Sequence, residues 1–154
     1  STLGFTLMEL ILVVVLLSIL SLFAASRFMG SSSFSAYTLQ ERVISVIRQV
    51  QVNRMQSNVA SPDNNFRLQV SSSCVGSVAA CELTGSAQDA RSDVVIDKSA
   101  KFSVISGAAN TINFNLLGNP VSGAVNILIE DKHGRSRCQV EINSQGYVSK
   151  GTCS

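Results

Sequence analysis

From Leu10 to Ser26 the chain carries no charged side chain, and Glu9 stands at the head of that run. Those 17 uncharged residues, wound as an α-helix, extend about 26 Å, close to the ~30 Å hydrocarbon core of a bilayer. A segment this apolar must end up covered by lipid or by protein, so it constrains the fold more than any other feature. Three readings account for it. A secretory signal peptide calls for positive charge before the run and small residues after it. "FAAS" (Phe23 to Ser26) meets the second demand, but "STLG" (Ser1 to Gly4) offers no basic residue; with Ser1 rather than methionine first, further residues upstream are an expectation. A plain membrane anchor fits the length and leaves Glu9 unexplained, since a carboxylate well inside a bilayer costs about 3 kcal/mol. The third reading gives the glutamate a purpose. If the chain is cut between Gly4 and Phe5, the new amino group lies one helical turn, about 6 Å, from the carboxylate at i+4. In an apolar medium the two charges satisfy each other, within one chain or between neighbours. Between chains the pair fixes axial register.

The remainder is an ordinary globular sequence. Of 154 residues, 45% are hydrophobic and 14% charged, and the apolar excess sits in the first 26 residues. A net charge of +2 is too small to imply a nucleic-acid partner by itself. Four cysteines, Cys74, Cys81, Cys138 and Cys153, allow three pairings. The local pairs Cys74–Cys81 and Cys138–Cys153 close short loops in Gly/Ser-rich segments. Zinc would need close ligand pairs with histidine support, and His133 is the only histidine, so two disulfides in an oxidising compartment are the better reading. No G-x-S-x-G, P-loop or H-E-x-x-H motif occurs. No catalytic residue, metal ligand or cofactor is therefore expected.

Behind the apolar run, Leu39, Val43, Val46 and Val50 recur at helical spacing with Ile47 beside them. Glu41, Arg42, Arg48, Gln49 and Gln51 fall mostly off that stripe. This reads as the second half of one long helix, interrupted over "MGSSSFS" (Met29 to Ser35) by poor helix formers. Ser18 and Ser21 are expected to bond back to their own helix carbonyls or across to neighbouring helices. "SNVASPDNN" (Ser57 to Asn65) ends the helix. Strand candidates follow: "FRLQV", with Phe66, Leu68 and Val70 inward; "VVID"; "KFSVIS"; "TINFNLLG", with Ile112, Phe114 and Leu116 inward; "AVNILIED" and "RCQVEIN" around a hairpin at His133-Gly134; and "GYVSKGTC". The expected fold is α+β, a long helix laid across one face of an antiparallel sheet of five to seven strands.

"GFTLMEL" (Gly4 to Leu10) resembles the class III signal of type IV pilins and type II secretion pseudopilins: Gly, a cut, Phe, Thr, Leu, any residue, Glu, then an apolar helix. The resemblance implies a leader ending at Gly4, truncated here to residues 1–4, cleavage before Phe5, N-methylation of Phe5, and Glu9 as the assembly glutamate. It further implies a membrane and assembly helix over residues 5–27, its amphipathic continuation over 28–56, and a periplasmic β-rich domain over 57–154. The partners implied are other subunits, a prepilin peptidase, an inner-membrane assembly platform, and lipid before assembly. Such a subunit waits in the bacterial inner membrane and then enters a cell-surface or periplasm-spanning filament. "AASRF" resembles the "AAPRF" of mannose-sensitive haemagglutinin-type pilins, and serine in place of proline implies a straighter helix there. The last third, from "INFNLLG" to "GYVSKGTC", resembles minor pseudopilins and minor pilins, which favours a minor subunit over a major adhesive one. The Cys138 to Cys153 gap resembles the C-terminal disulfide-bounded loop of many pilins.

"DKHGRSR" gathers Lys132, His133, Arg135 and Arg137 at a turn, with Lys150 expected nearby. Some minor pilins of DNA-uptake systems use basic C-terminal strands, so these side chains are the candidates for phosphate contact. A solvated turn is the favoured reading, and DNA is the less favoured partner. A lone turn histidine lacks the companions that catalysis or metal binding needs. An anchored periplasmic domain that never polymerises is the last alternative.

Overall fold

The computed structural model describes residues 4–30, 35–107 and 109–154. The chain divides into two compact units, residues 1–32 and 33–154. In the first, α1 (Leu7–Gly30) runs through Ser26 without a break. The interruption expected over Met29 to Ser35 falls largely on residues 31–34, outside the described residues, and residues 1–3 of the leader lie outside them as well.

The second unit is α+β, but its sheet is not the single one expected. Among the described residues, eight strands form two four-stranded antiparallel sheets. The first takes β1 (Arg67–Val70), β2 (Cys74–Ser77), β3 (Val94–Ile96) and β5 (Thr111–Asn113) in the order β3-β2-β1-β5. The second takes β4 (Ala100–Ser106), β6 (Val125–Asp131), β7 (Arg137–Ile142) and β8 (Val148–Cys153) in the order β4-β6-β7-β8. One helix, α2 (Ser35–Ser57), packs against β1, β2 and β3 of the first sheet and β6, β7 and β8 of the second. Its stripe of Leu39, Val43, Val46, Ile47 and Val50 is buried, joined by Ala36 and Ile44. On the second sheet the alternation works as period-2 geometry demands, with Val125, Ile127 and Ile129 facing Ile142, Val140 and Cys138 across the ladder. The helix stops where Asn58 takes a left-handed φ of 50°, a conformation asparagine tolerates at a C-terminal cap, and Pro62 follows.

Three further corrections follow from the packing. "TINFNLLG" is a strand only over Thr111–Asn113, plus a bridge from Phe114 to Pro120. Leu116, expected inward, is exposed with Leu117 in the turn beyond. Phe66 precedes β1 and is half-buried, because the ladder to β2 and β5 begins at Leu68 and Arg67. Gln51, placed off the apolar stripe, is buried. It and two other polar residues of α2, Gln40 and Arg54, are drawn in because each donates to backbone carbonyls of the β-rich part. Gln51 Nε2 donates to Gly118 O at 3.0 Å and Gly146 O at 2.8 Å, Gln40 Nε2 to Gln139 O at 2.8 Å, and Arg54 Nε to Phe114 O at 3.0 Å.

The strand β2 and two short helices, α3 (Val78–Glu82) and α4 (Gly85–Asp89), were not anticipated. Ser77 caps α3 by accepting from Ala80 N at 3.1 Å. A Cβ on Gly76 would lie 2.4 Å from Asp93 O and 2.7 Å from the Val94 Cα, so only glycine lets β3 lie this close to β2. The cysteines adopt the two local pairings, Cys74–Cys81 bridging β2 to α3 and Cys138–Cys153 bridging β7 to β8.

Beside that corner Arg91 grips Asp93 with two bonds, Nε to Oδ1 at 2.9 Å and Nη2 to Oδ2 at 2.8 Å. Asp93 is 4% exposed. Burial pushes its carboxyl up, but hydrogen bonds from Arg91 and Ser77 and the Arg91 charge outweigh burial and hold it below the usual carboxylate range. A depressed carboxyl contributes stability above its unfolded value, about 3.9, and loses it as pH falls through the folded one. Asp93→Asn is therefore expected to be less stable than the parent at pH 7, with the gap closing as pH falls below about 4 and through the lowered folded value. Denaturant unfolding at a series of pH values measures this, and a gap that persists unchanged into acid would show that the ion pair is not its source.

Candidate functional site

The first unit presents a bare apolar cylinder. Every side chain from Leu7 to Ala24 is exposed, and this stretch is the candidate membrane span among the described residues. The helix start is set by Thr6, whose Oγ1 accepts from Glu9 N at 3.2 Å, while Leu10 N donates to Thr6 O at 3.1 Å. Thr6 is thus the N-cap and Glu9 the third helical residue, the T-x-x-E arrangement of a capping box. That local role was not anticipated for the glutamate, although the spacing of threonine and glutamate carries it. A carboxylate in the first turn also sits against the positive end of the helix dipole. Glu9 is the sole charged residue from Leu7 to Ala24. The two serines inside the run need no outside partner: Ser18 Oγ donates to Val14 O and Ser21 Oγ to Leu17 O, each at 2.8 Å. No polar group of the helix middle is therefore left bare to a lipid or protein surround.

Gly4 and Phe5 precede the cap, both exposed, Phe5 by 80%. A Cβ added at Gly4 would meet nothing within 4 Å. Nothing in the described fold requires glycine at that position, so any requirement for it comes from outside this chain.

No protein-family model and no curated protein matches the chain. Among solved structures it is similar to the type IV minor pilin FimU of Pseudomonas aeruginosa, at 10% identity over 75% of this chain and 92% of that one, with a TM-score of 0.48.

The basic residues of the second unit do not converge as expected. Lys132, His133 and Arg135 lie in the turn from β6 to β7, where Gly134 N donates to Asp131 O at 2.8 Å and His133 N to Asp131 Oδ1 at 3.2 Å. Arg137 is 3.7 Å from Glu130 across the hairpin. Lys150 is drawn away from the turn: it lies opposite Val140 in the β7–β8 ladder and pairs with Glu41 on α2. In its place the register of β4 on β6, Lys101 opposite Glu130, brings Lys98 and Lys101 to a cleft that Lys132 also lines. Those two lysines were missed because only the strand pairing, not the sequence spacing, puts them there. Among the described residues no group of three His, Cys, Asp or Glu is placed to hold a metal.

Proposed function

We propose that this chain is a pilin-like structural subunit, held in a membrane by α1 and then built into a filament through the same helix. The observation that carries the reading is α1 itself, an apolar surface exposed from Leu7 to Ala24 with one acid at its capped start. A soluble protein cannot leave such a surface in water, and a plain anchor has no use for a lone glutamate there. In the finer form, the chain is a minor subunit of a type IV pilus or type II secretion pseudopilus, waiting in the inner membrane with residues 33–154 in the periplasm. A prepilin peptidase cuts between Gly4 and Phe5, Phe5 is N-methylated, and the assembly platform passes the helix from lipid into a bundle of like helices. Apolar contact is kept throughout, and pairing of the Phe5 amine with Glu9 of a neighbouring subunit sets register. The open space around Gly4 supports the cut, because a peptidase that must reach the backbone is an external reason for glycine.

Mass spectrometry of the protein from its native cells tests this. The expected N-terminus is Phe5, methylated, and replacing Gly4 by a bulky residue is expected to leave the precursor uncut. An N-terminus near Arg27 would mean a signal peptide and would end the proposal.

A further inference from the structure

Among the described residues the two sheets of the second unit have four edges, and three of them make at least one hydrogen bond outside the sheet. On β8, Arg48 Nη2 donates to Val148 O at 2.8 Å and Gln40 Nε2 to Gly151 O at 3.4 Å. On β4, Phe102 N donates to Ser72 O at 3.1 Å; on β5, Val121 N donates to Asn113 O at 2.9 Å. The fourth edge is β3. Its register with β2 pairs Val75 with Val95 and Gly76 with Val94, and Ser77 N donates to Asp93 O at 3.0 Å. Hydrogen-bonded pairs alternate along an antiparallel ladder, so Asp93 and Val95 turn their backbone groups toward β2. The N–H and C=O of Val94 and Ile96 therefore point outward, and among the described residues no hydrogen bond reaches them.

The surroundings of that edge are concave and cationic. Clefts of about 260, 170 and 310 Å³ line it end to end, the first at Ile96, the second at Ile96 and Val94, the third at Val94. Their rims carry Arg42, Arg91, Lys98, Lys101 and Lys132 against Asp89 and Asp97. Arg91 is taken up by Asp93, while Arg42 is exposed and forms no salt bridge among the described residues. Asp97 is turned inward on its own loop, accepting from Ser99 N at 2.8 Å. An outward backbone ladder selects a polypeptide in extended form, and the surplus of cations selects acidic side chains on it.

We infer that the β3 edge is a docking site for an extended acidic segment of a partner polypeptide, which joins the first sheet as an added strand beside Val94–Ile96. The site lies wholly within residues 33–154 and does not depend on α1, so its failure and the failure of the filament reading are separate results. The test uses the full chain in detergent micelles and a capped hexapeptide of alternating valine and glutamate as probe, with amide hydrogen exchange as the readout. Saturable slowing of exchange at the Val94 and Ile96 amides is expected, by more than about tenfold near saturation. Val94→Pro removes one outward donor and no bond to β2, and is expected to weaken binding about fivefold, the value of one net hydrogen bond. Arg42→Glu is expected to weaken it further and to flatten its salt dependence. Should Val94→Pro disturb the fold, a probe N-methylated at every residue, which leaves neither edge a donor, makes the same test on the unaltered chain and is expected not to bind. Three results would overturn the inference: no protection at millimolar probe, equal protection by the N-methylated probe, or equal protection by a duplex oligonucleotide, which would mean that charge alone is being read.

Discussion

Cells making Glu9→Val are expected to lose the subunit from sheared filaments almost completely while keeping it, cleaved and folded, in the membrane fraction. In this scheme leader cleavage, insertion and folding of the β-rich domain do not use the carboxylate. What uses it is the step between lipid and filament. An isolated carboxylate in the bilayer carries a penalty of about 3 kcal/mol, and in this scheme the Phe5 amine of an adjoining subunit offsets that cost only in the right register. The capping geometry at Thr6 adds a competing account, in which Glu9 merely completes the first turn of α1. Glu9→Gln separates the two. Glutamine at the third helical position serves a capping box as glutamate does, but it has no charge to pair. Loss of incorporation in both variants supports the charge pairing. Normal incorporation of Glu9→Gln with loss in Glu9→Val assigns the residue to the cap, and normal incorporation of both removes it from assembly altogether. Immunoblots of sheared-filament and membrane fractions read all three outcomes. If the chain is a minor subunit, loss shows as fewer filaments rather than altered ones.

The second large effect is expected at Gln51. Its amide joins two loops to α2 at once, through Gly118 O and Gly146 O. The loops are so close that a Cβ on Gly146 would lie 2.3 Å from Gly118 O, and Gly146 itself sits at a φ of 84°. Gln51→Leu keeps much of the volume but strands both carbonyls, at about 1–3 kcal/mol each when buried without a partner. Unfolding of the second unit, followed by near-ultraviolet circular dichroism, is expected to show a loss of roughly 2–5 kcal/mol. Gln51→Glu is expected to be worse at pH 7, because it buries a charge against two carbonyl oxygens, and to recover partly in acid as the carboxyl gains a proton to donate. A loss of well under 1 kcal/mol in Gln51→Leu would mean that water reaches those carbonyls and replaces the amide.

What was readable in the chain depended on how many residues carried each signal. The apolar run of α1 and the stripe Leu39-Val43-Val46-Val50 repeat a period several times, and the β6–β7 hairpin alternates over both strands, so each was legible without tertiary context. The strand β2 reads "CVGS" and is buried on every residue, so no alternation marks it, and its Gly and Cys look like loop. The division into two sheets was hidden for a related reason: it is set by which strands pair across long intervals, β1 with β5 and β4 with β6. The inward turn of Gln51 was misread because a polar side chain on a helix is assigned to solvent by pattern, whereas here the sheet loops supply carbonyls that need a donor. The same blindness to pairing misplaced Lys150 and overlooked Lys98 and Lys101. At the head, Phe5 and Glu9 were legible as a spacing, while the cap made by Thr6 required the helix start to be located.

Gly76 is required by the fold and Gly4, on the cleavage we propose, only by another protein, so a mutational screen would sort them. At Gly76 the backbone of Asp93 and Val94 fills the space a side chain would take, so any assay that scores folded protein would reject nearly every replacement. At Gly4 the space is empty, so a folding screen would pass substitutions there as neutral, and only an assay that counts mature filaments would penalise them. If the proposed cleavage holds, Gly4 is invisible to the chain's own thermodynamics and still indispensable to the cell, because the requirement for it is set by another protein's active site.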